Sequence, residues 1–325
     1  MKSKKLIALL AIVLILITLT GCSLFKGEEE EKAKEEPKRE LSAFEEEYGE
    51  YKPKMWVVEN EELGNKVYLL GSIHMGVAEM YPLPSKIEEA FNESEILAVE
   101  NDIIELEKDM ALAVELFSYL TYTDGTTLKD HLTEKQLKDL KELGKKYNFP
   151  ILEEDIFKPI FYYTYITQMH VETTKYSVNY GIDRYLLEKA KEKGMRVVEI
   201  EDARITYELL SGISEETESY LIDGLITSYS YAQIADMSLD FTFKCWVTGD
   251  MKAYSDSMKS DDPRDEEYLE AFLYTRNKNM ADKVTGYFET GKTYFYVVGA
   301  LHFEGERGII DLLTQQGYDV TEVKY

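Results

Sequence analysis

The stretch Val67–Gly76 reads VYLLGSIHMG, and near the other end of the chain Tyr296–Gly305 reads YVVGALHFEG. Each is an apolar run, then a glycine, two residues and a histidine. Short apolar runs bounded by turn-forming residues read as buried strands, so each histidine is expected just past the carboxyl end of a strand. The chain has four histidines, and two of them share this frame. In open α/β sheets ligands gather at the carboxyl ends of the strands, and glycine there allows a sharp turn or a close approach to the backbone. The repeated frame therefore predicts an α/β fold with Gly71-x-x-His74 and Gly299-x-x-His302 at its two ends. On the residues alone, two structural histidines remain the competing reading.

Working outward, MWVVENEELGNKVYLLGSIH reads as a hairpin turning at Gly64-Asn65. ILAVE, 96–100, is a buried strand ending in Glu100, and MRVVEIED, 195–202, is another, following a helix closed by Gly194. Residues 103–120 and 203–260 read as helical, and Thr133 with Gln136 has capping-box spacing at the start of a helix over 134–147. DEEYLEAFLYTRNKNMADKVTGYFETGK reads as one long amphipathic helix, followed by the strand TYFYVVGALH and a last strand in YDVTEV. Strands alternate with helices at both ends and the middle is helix-rich. The expectation is a mixed α/β sheet with a helical insertion over 53–325, not two independent domains.

Glu100 and Glu201 each end an apolar strand, and a carboxylate there is costly unless it is paired or binds a metal. Two imidazoles with one or two carboxylates form a plausible divalent-metal set. Glu199 shares a face with Glu201 if the strand is regular. Arg276 falls in the apolar stripe Leu269, Leu273, Met280, Val284 and Tyr287 of the long helix, so its guanidinium needs an acceptor: a structural acid, a site carboxylate or a substrate carbonyl. Asp183 sits at a helix start, where capping accounts for it. His131 is expected exposed in a polar loop, and His170 and Cys245 are expected to be packing residues.

The first fifty residues are of another kind. Lys2, Lys4 and Lys5 precede the apolar run Leu6–Leu19, and Leu19-Thr20-Gly21-Cys22 resembles a bacterial lipobox. Residues 1–21 then read as a secretory signal and Cys22 as the lipidated residue. Residues 22–52, rich in Glu and Lys, read as an acidic, solvated tether. The address is the extracytoplasmic face of the cell membrane. The net charge of −25 excludes a nucleic-acid partner, which requires a basic surface, and leaves the lipid as the main membrane contact. Besides Cys22 the only cysteine is Cys245, so no intramolecular disulfide is expected.

YLLGSIHMG, ILAVE, GIDRYLLEKAKEKGMRVVEIE, CWVTGD, YTRNKNMADKV and TYFYVVGALHFEGERGIIDLLTQQGYDV together resemble the TraB/GumN family, which includes the Tiki membrane metalloproteases. The resemblance runs from about Met55 to Val323. It implies a divalent-metal-dependent peptidase with Mn, Co or Zn, acting on peptides or protein termini, on a fold similar to that of the erythromycin esterases and of a haem-binding lipoprotein family. Carried over by position, its site falls on His74, Glu100, Arg276 and His302, with Asn277, Glu201 and Asp183 as a second tier. His74, His302 and Glu100 would hold the ion, Glu100 or Glu201 would act as base, and Arg276 would grip a carboxylate or an oxyanion. The alternative is a non-catalytic lipoprotein of the same fold that binds a metal, haem or a peptide.

Overall fold

The computed structural model describes residues 42–60 and 62–325; Cys22 and the lipobox lie outside the described residues. Six strands form one mixed sheet: β1 (Met55–Asn60), β2 (Asn65–Ser72), β3 (Ile96–Val99), β4 (Arg196–Glu199), β5 (Tyr294–Gly299) and β6 (Val320–Glu322), in the spatial order β4-β3-β5-β2-β1-β6. The four strands from β4 to β2 run parallel, and β1 is antiparallel to both β2 and β6. The expected α/β class and the β1–β2 hairpin are both present.

Side chains alternate across a strand, and both faces of the central strands β3, β5 and β2 are buried, whereas β4, expected to be a buried strand, lies at the sheet edge and is half-buried to exposed. One face carries Leu70, Leu97, Val99, Phe295 and Val297, packed under the helices Ser85–Glu93, Ile182–Lys193 and Ala232–Thr248. The other carries Leu69, Ala98, Tyr296 and Val298 against Met280 and Val284 of the helix Thr275–Phe288 and Leu313 of the helix Ile309–Gln315. Covered parallel strands read as continuous apolar runs, which is how VYLL, ILAV and YFYVV appear. The helix-rich middle has a separate core built from Leu140, Phe161, Tyr162 and Ile222, among others.

Two expectations are corrected. The acidic stretch is not a tether as far as residue 52. Ser42 caps a helix over Ala43–Tyr48 through a capping box, and Phe44, Tyr48 and Tyr51 are buried. Tyr48 meets Phe243 edge-on with ring centroids 5.0 Å apart. Phe44 and Tyr48 stand i, i+4 on one face of this helix, and Tyr51 follows beyond its Gly49 cap; all three are hidden in a composition dominated by glutamate. The long helix is also interrupted: Pro263–Leu269 and Thr275–Phe288 are joined by a π turn over Glu270–Tyr274. Such turns occur often at functional sites, and this one ends directly before Arg276.

The two ends of the chain meet closely. A Cβ built on Gly71 would lie 2.9 Å from both Cα and Cβ of Ala300, closer than carbon atoms pack. Gly71→Ala is therefore expected to cost about 1–3 kcal/mol through overpacking. Gly224, exposed within the helix Glu215–Ser230 with nothing within 4 Å of a built Cβ, serves as the control. There, alanine is expected to stabilise by roughly 0.5–1 kcal/mol. Urea denaturation of both variants reads the two opposite signs.

Candidate functional site

β2 and β5 pair in parallel with Ser72 opposite Gly299. The two Gly-x-x-His frames therefore open at the same edge of the sheet. β3 lies beside β5, with Val99 opposite Val297, which puts Glu100 at that edge as well. Beyond it, β4 leads to Glu201, whose amide donates to Glu100 O at 3.4 Å.

A methyl group built on Gly299 would stand 3.5 Å from Cδ2 of His302, 3.7 Å from Nε2 of His74 and 4.0 Å from Oε2 of Glu100. Two rings and a carboxylate thus surround one point above the end of β5, and glycine keeps that point open. His302 Nε2 lies 4.0 Å from Glu100 Oε2. His302 is buried on a 3₁₀ turn, whereas the His74 side chain is 68 % exposed and gives the site its open side.

The far nitrogen of each ring is held by a helix start. His302 Nδ1 lies 2.6 Å from Asn277 Oδ1. Asn277 Nδ2 donates to Arg307 O at 2.7 Å, which orients the amide with its oxygen toward the ring. His302 therefore carries its proton on Nδ1 and turns a bare Nε2 toward Glu100. Burial pushes the His302 pKa down to about 4, so the ring is neutral near pH 7. His74 Nδ1 lies 2.7 Å from Asp183 Oδ2. Asp183 is 4 % exposed, and its negative charge raises the His74 pKa. The capping explanation for Asp183 does not hold: the helix Ile182–Lys193 has no side-chain cap, and the carboxylate is spent on His74. An acid in the first turn of a helix is so ordinary that sequence gives no sign of this. The structure shows why the two meet: the helix start packs so tightly on the His74 backbone that a Cβ on Gly181 would come 2.9 Å from His74 C and O.

Arg276 is 1 % exposed and lies between the two glutamates. Its Nη2 donates to Glu100 Oε1 and to Glu201 Oε1, its Nε to Glu201 Oε1 at 2.8 Å, and its Nη1 to Phe272 O at 3.0 Å. Four of the five N–H bonds of the guanidinium are thus engaged inside the protein. Arg276 touches no open space and acts on the site through Glu100, so a direct grip on an oxyanion is not carried forward. Burial pushes Glu100 up, but the facing His302, Arg276 and His74 outweigh it and hold the carboxyl down to about 2. With His302 neutral, Arg276 and His74 are the charges that act at neutral pH. Burial raises Glu201 in spite of its bonds to Arg276. Thr206, whose hydroxyl donates to Glu201 Oε1 at 3.4 Å, has no signature in the sequence.

The remaining candidates lie elsewhere. Glu199 Oε1 accepts from the Asp102 amide. His131 is not exposed in a loop but ends the short helix Leu128–His131 and stacks on Tyr122 with centroids 3.9 Å apart. His170 is buried beside Tyr147, and Cys245 is a buried free thiol. Among the described residues, no group of three or more His, Cys, Asp and Glu side chains stands close enough to hold an ion as placed. No helix among them is long and apolar enough to cross a membrane.

Fold and site define an α/β protein with a His-His-Glu cluster on the carboxyl edge of a mostly parallel sheet. The chain belongs to the TraB/PrgY/gumN family, whose model matches residues 54–322. It is 23% identical over 254 residues to the uncharacterized protein YbaP of Escherichia coli strain K12, covering 77% of this chain and 89% of that protein. It is 37% identical over 62 residues to a metalloprotease TIKI homolog of Nematostella vectensis and 36% over 58 residues to metalloprotease TIKI1 of Danio rerio. These two matches cover 18% and 17% of this chain, and 13% and 12% of the relatives. No solved structure matches the chain.

Removing one partner of a buried ion pair leaves an uncompensated charge, which costs about 3–5 kcal/mol. Arg276→Met is expected to lose stability of that order, and Arg276→Met combined with Glu201→Gln to recover part of it. Guanidinium titration of both proteins measures the difference; equal stability of Arg276→Met and wild type would rule out the buried bridge.

Proposed function

We propose that this protein is a divalent-metal-dependent hydrolase of peptide bonds, anchored by lipid at Cys22 on the outer face of the cell membrane. The observation that carries the reading is the convergence of His74, His302 and Glu100 Oε2 above Gly299. The short similarity to two proteins named metalloproteases supports it.

The residues fit an ion in three respects. The donors are two imidazole nitrogens and a carboxylate oxygen, a set suited to Zn, Mn or Co. The Nδ1 atoms are already fixed by Asp183 and Asn277, the outer support usual for ligating histidines. Ligands about 2.0–2.2 Å from one tetrahedral ion stand roughly 3.4 Å apart, and the 4.0 Å between His302 and Glu100 needs only a small side-chain rotation. A bound ion would supply Lewis acidity toward the substrate carbonyl. The chain's own residues supply the rest. The exposed side of His74 admits an extended peptide. Glu100 Oε2, the oxygen not bonded to Arg276, stays committed to the ion. The attacking water gives up a proton to solvent on the open side of His74 as its oxygen bonds the carbonyl carbon, and the amine nitrogen takes one up from solvent as the C–N bond breaks. Arg276 and Glu201 are positioning residues that keep Glu100 ionised and aimed.

The test is a peptide-library digest by the full chain after metal removal, repeated with Mn, Co or Zn. Cleavage should be restored by at least one ion and fall by a factor of about 10² or more in His302→Ala. Ion binding with no cleavage of any peptide would favour the non-catalytic binder, as would a haem absorption band in place of ion binding. For the anchor, Cys22→Ser is expected to release the protein or leave an uncleaved precursor; membrane fractionation with normal processing would overturn the lipidated address.

A further inference from the structure

Beside the site lies a groove of about 490 Å³. Its floor and walls are apolar: Leu116 and Phe117 from the helix Met110–Tyr119, Phe161 and Met169 from the helix Pro159–Val171, with Ile103 and Tyr207 closing it. Phe117, Met169, Ile103 and Tyr207 are only half-buried: each packs on the core with one side and leaves the other accessible from the groove.

The groove adjoins the site at three places. Ile103 follows Glu100 by three residues, a separation of at most about 11 Å along the chain. Asn179, on the rim, is two residues before Gly181, which packs on the His74 backbone. Tyr207 follows Thr206, which donates to Glu201. An extended peptide advances about 3.3 Å per residue, so a peptide bond placed above Gly299 would put the groove within two or three residues of it.

Charge selects the occupant further. The groove has two charged residues, Glu107 and Glu172, both acidic. Glu107 is paired with Arg184. Glu172 is exposed and accepts from the Val178 amide at 3.0 Å; no cationic side chain among the described residues pairs with it. The rim thus presents one uncompensated negative charge, on a chain whose net charge is −25. We propose that the groove holds a bulky apolar side chain of a peptide, with a lysine or arginine beside it facing Glu172. The assignment rests on the peptidase reading of the adjoining site for its consequence, cleavage near such a pair, but not for the binding itself.

The two levels separate in one experiment on the full chain in lipid nanodiscs. The probe is fluorescein-labelled Ala-Ala-Phe-Lys-Ala-Ala, followed by anisotropy without metal and by cleavage with Mn, Co or Zn. Replacing Phe by Ala in the probe is expected to weaken binding about tenfold or more, and Glu172→Gln by roughly threefold at low salt. Ala113→Trp and Thr164→Trp fill the groove from its two walls, and each is expected to abolish the preference for Phe; near-UV circular dichroism confirms their folding. Unchanged binding in both folded variants overturns the groove assignment whatever the activity. Displacement by octanoate as readily as by unlabelled peptide gives the groove to acyl chains and overturns it too. Binding that follows the groove variants without cleavage of any peptide leaves the assignment standing and removes the hydrolase reading. Cleavage indifferent to Phe and to both variants does the reverse.

Discussion

The parallel pairing of β2 with β5 is the constraint on which the site depends. Parallel neighbours need a crossover, and here the crossover is nearly the whole protein: β3, β4 and the helical middle are all contained between the two histidine frames. Because β3 and β4 run in the same direction, their carboxyl ends reach the same edge. The edge then reads, strand by strand, Glu201, Glu100, His302, His74. Neighbouring strands are about 4.8 Å apart, which brings His302 within reach of both Glu100 and His74. Glu201 starts three strands from β2, roughly 14 Å away by the same spacing, so its carboxylate reaches the site through Arg276.

The electrostatics follow from that order. Two carboxylates on adjacent strand ends would repel and one would take a proton; a single buried guanidinium between them lets Glu100 remain ionised. The two histidines start alike and are tuned apart by what holds Nδ1. A neutral amide fixes the His302 tautomer without adding charge, and burial then keeps the ring neutral. A buried carboxylate behind His74 favours its cation. The same imidazole frame repeated in sequence thus yields two chemically different groups.

The parts of this arrangement that were legible in sequence are those written in local pattern. Apolar runs ending in glycine marked the strands and their functional ends, and the stripe of the long helix marked Arg276 as buried. What was illegible depends on contacts between distant segments. Asp183 looked like any first-turn acid until the loop after β2 was seen against Gly181. The aromatics Phe44, Tyr48 and Tyr51 were masked by their glutamate-rich surroundings, although the spacing of Phe44 and Tyr48 was helical. The π turn before Arg276 leaves no mark, since Glu270–Tyr274 has ordinary helix-forming residues. The groove draws its lining from four separate helices, and no local pattern joins Phe117 to Met169 or Tyr207.

Matching lengths explain why Arg276 and Asn277, some 25 residues before His302, end beside it. The helix Thr275–Phe288 has 14 residues, about 21 Å at 1.5 Å each. β5 has six, about 20 Å at 3.3 Å each. Phe288 O accepts from Asn65 Nδ2 at the amino end of β2, so the helix descends the sheet and β5 climbs back to the level at which the helix began. The helix Ile182–Lys193 repeats this before β4, starting with the Ile182 amide on Ile73 O. In both units the strand end lies at the edge where the site residues gather and the helix start supplies the group that orients a histidine: Asp183 for His74, Asn277 for His302. Each ring is therefore steered by a helix that does not belong to its own strand in the first case, and by the helix leading into its own strand in the second. The site is consequently sensitive to the docking of both helices on the sheet, not only to the residues that line it.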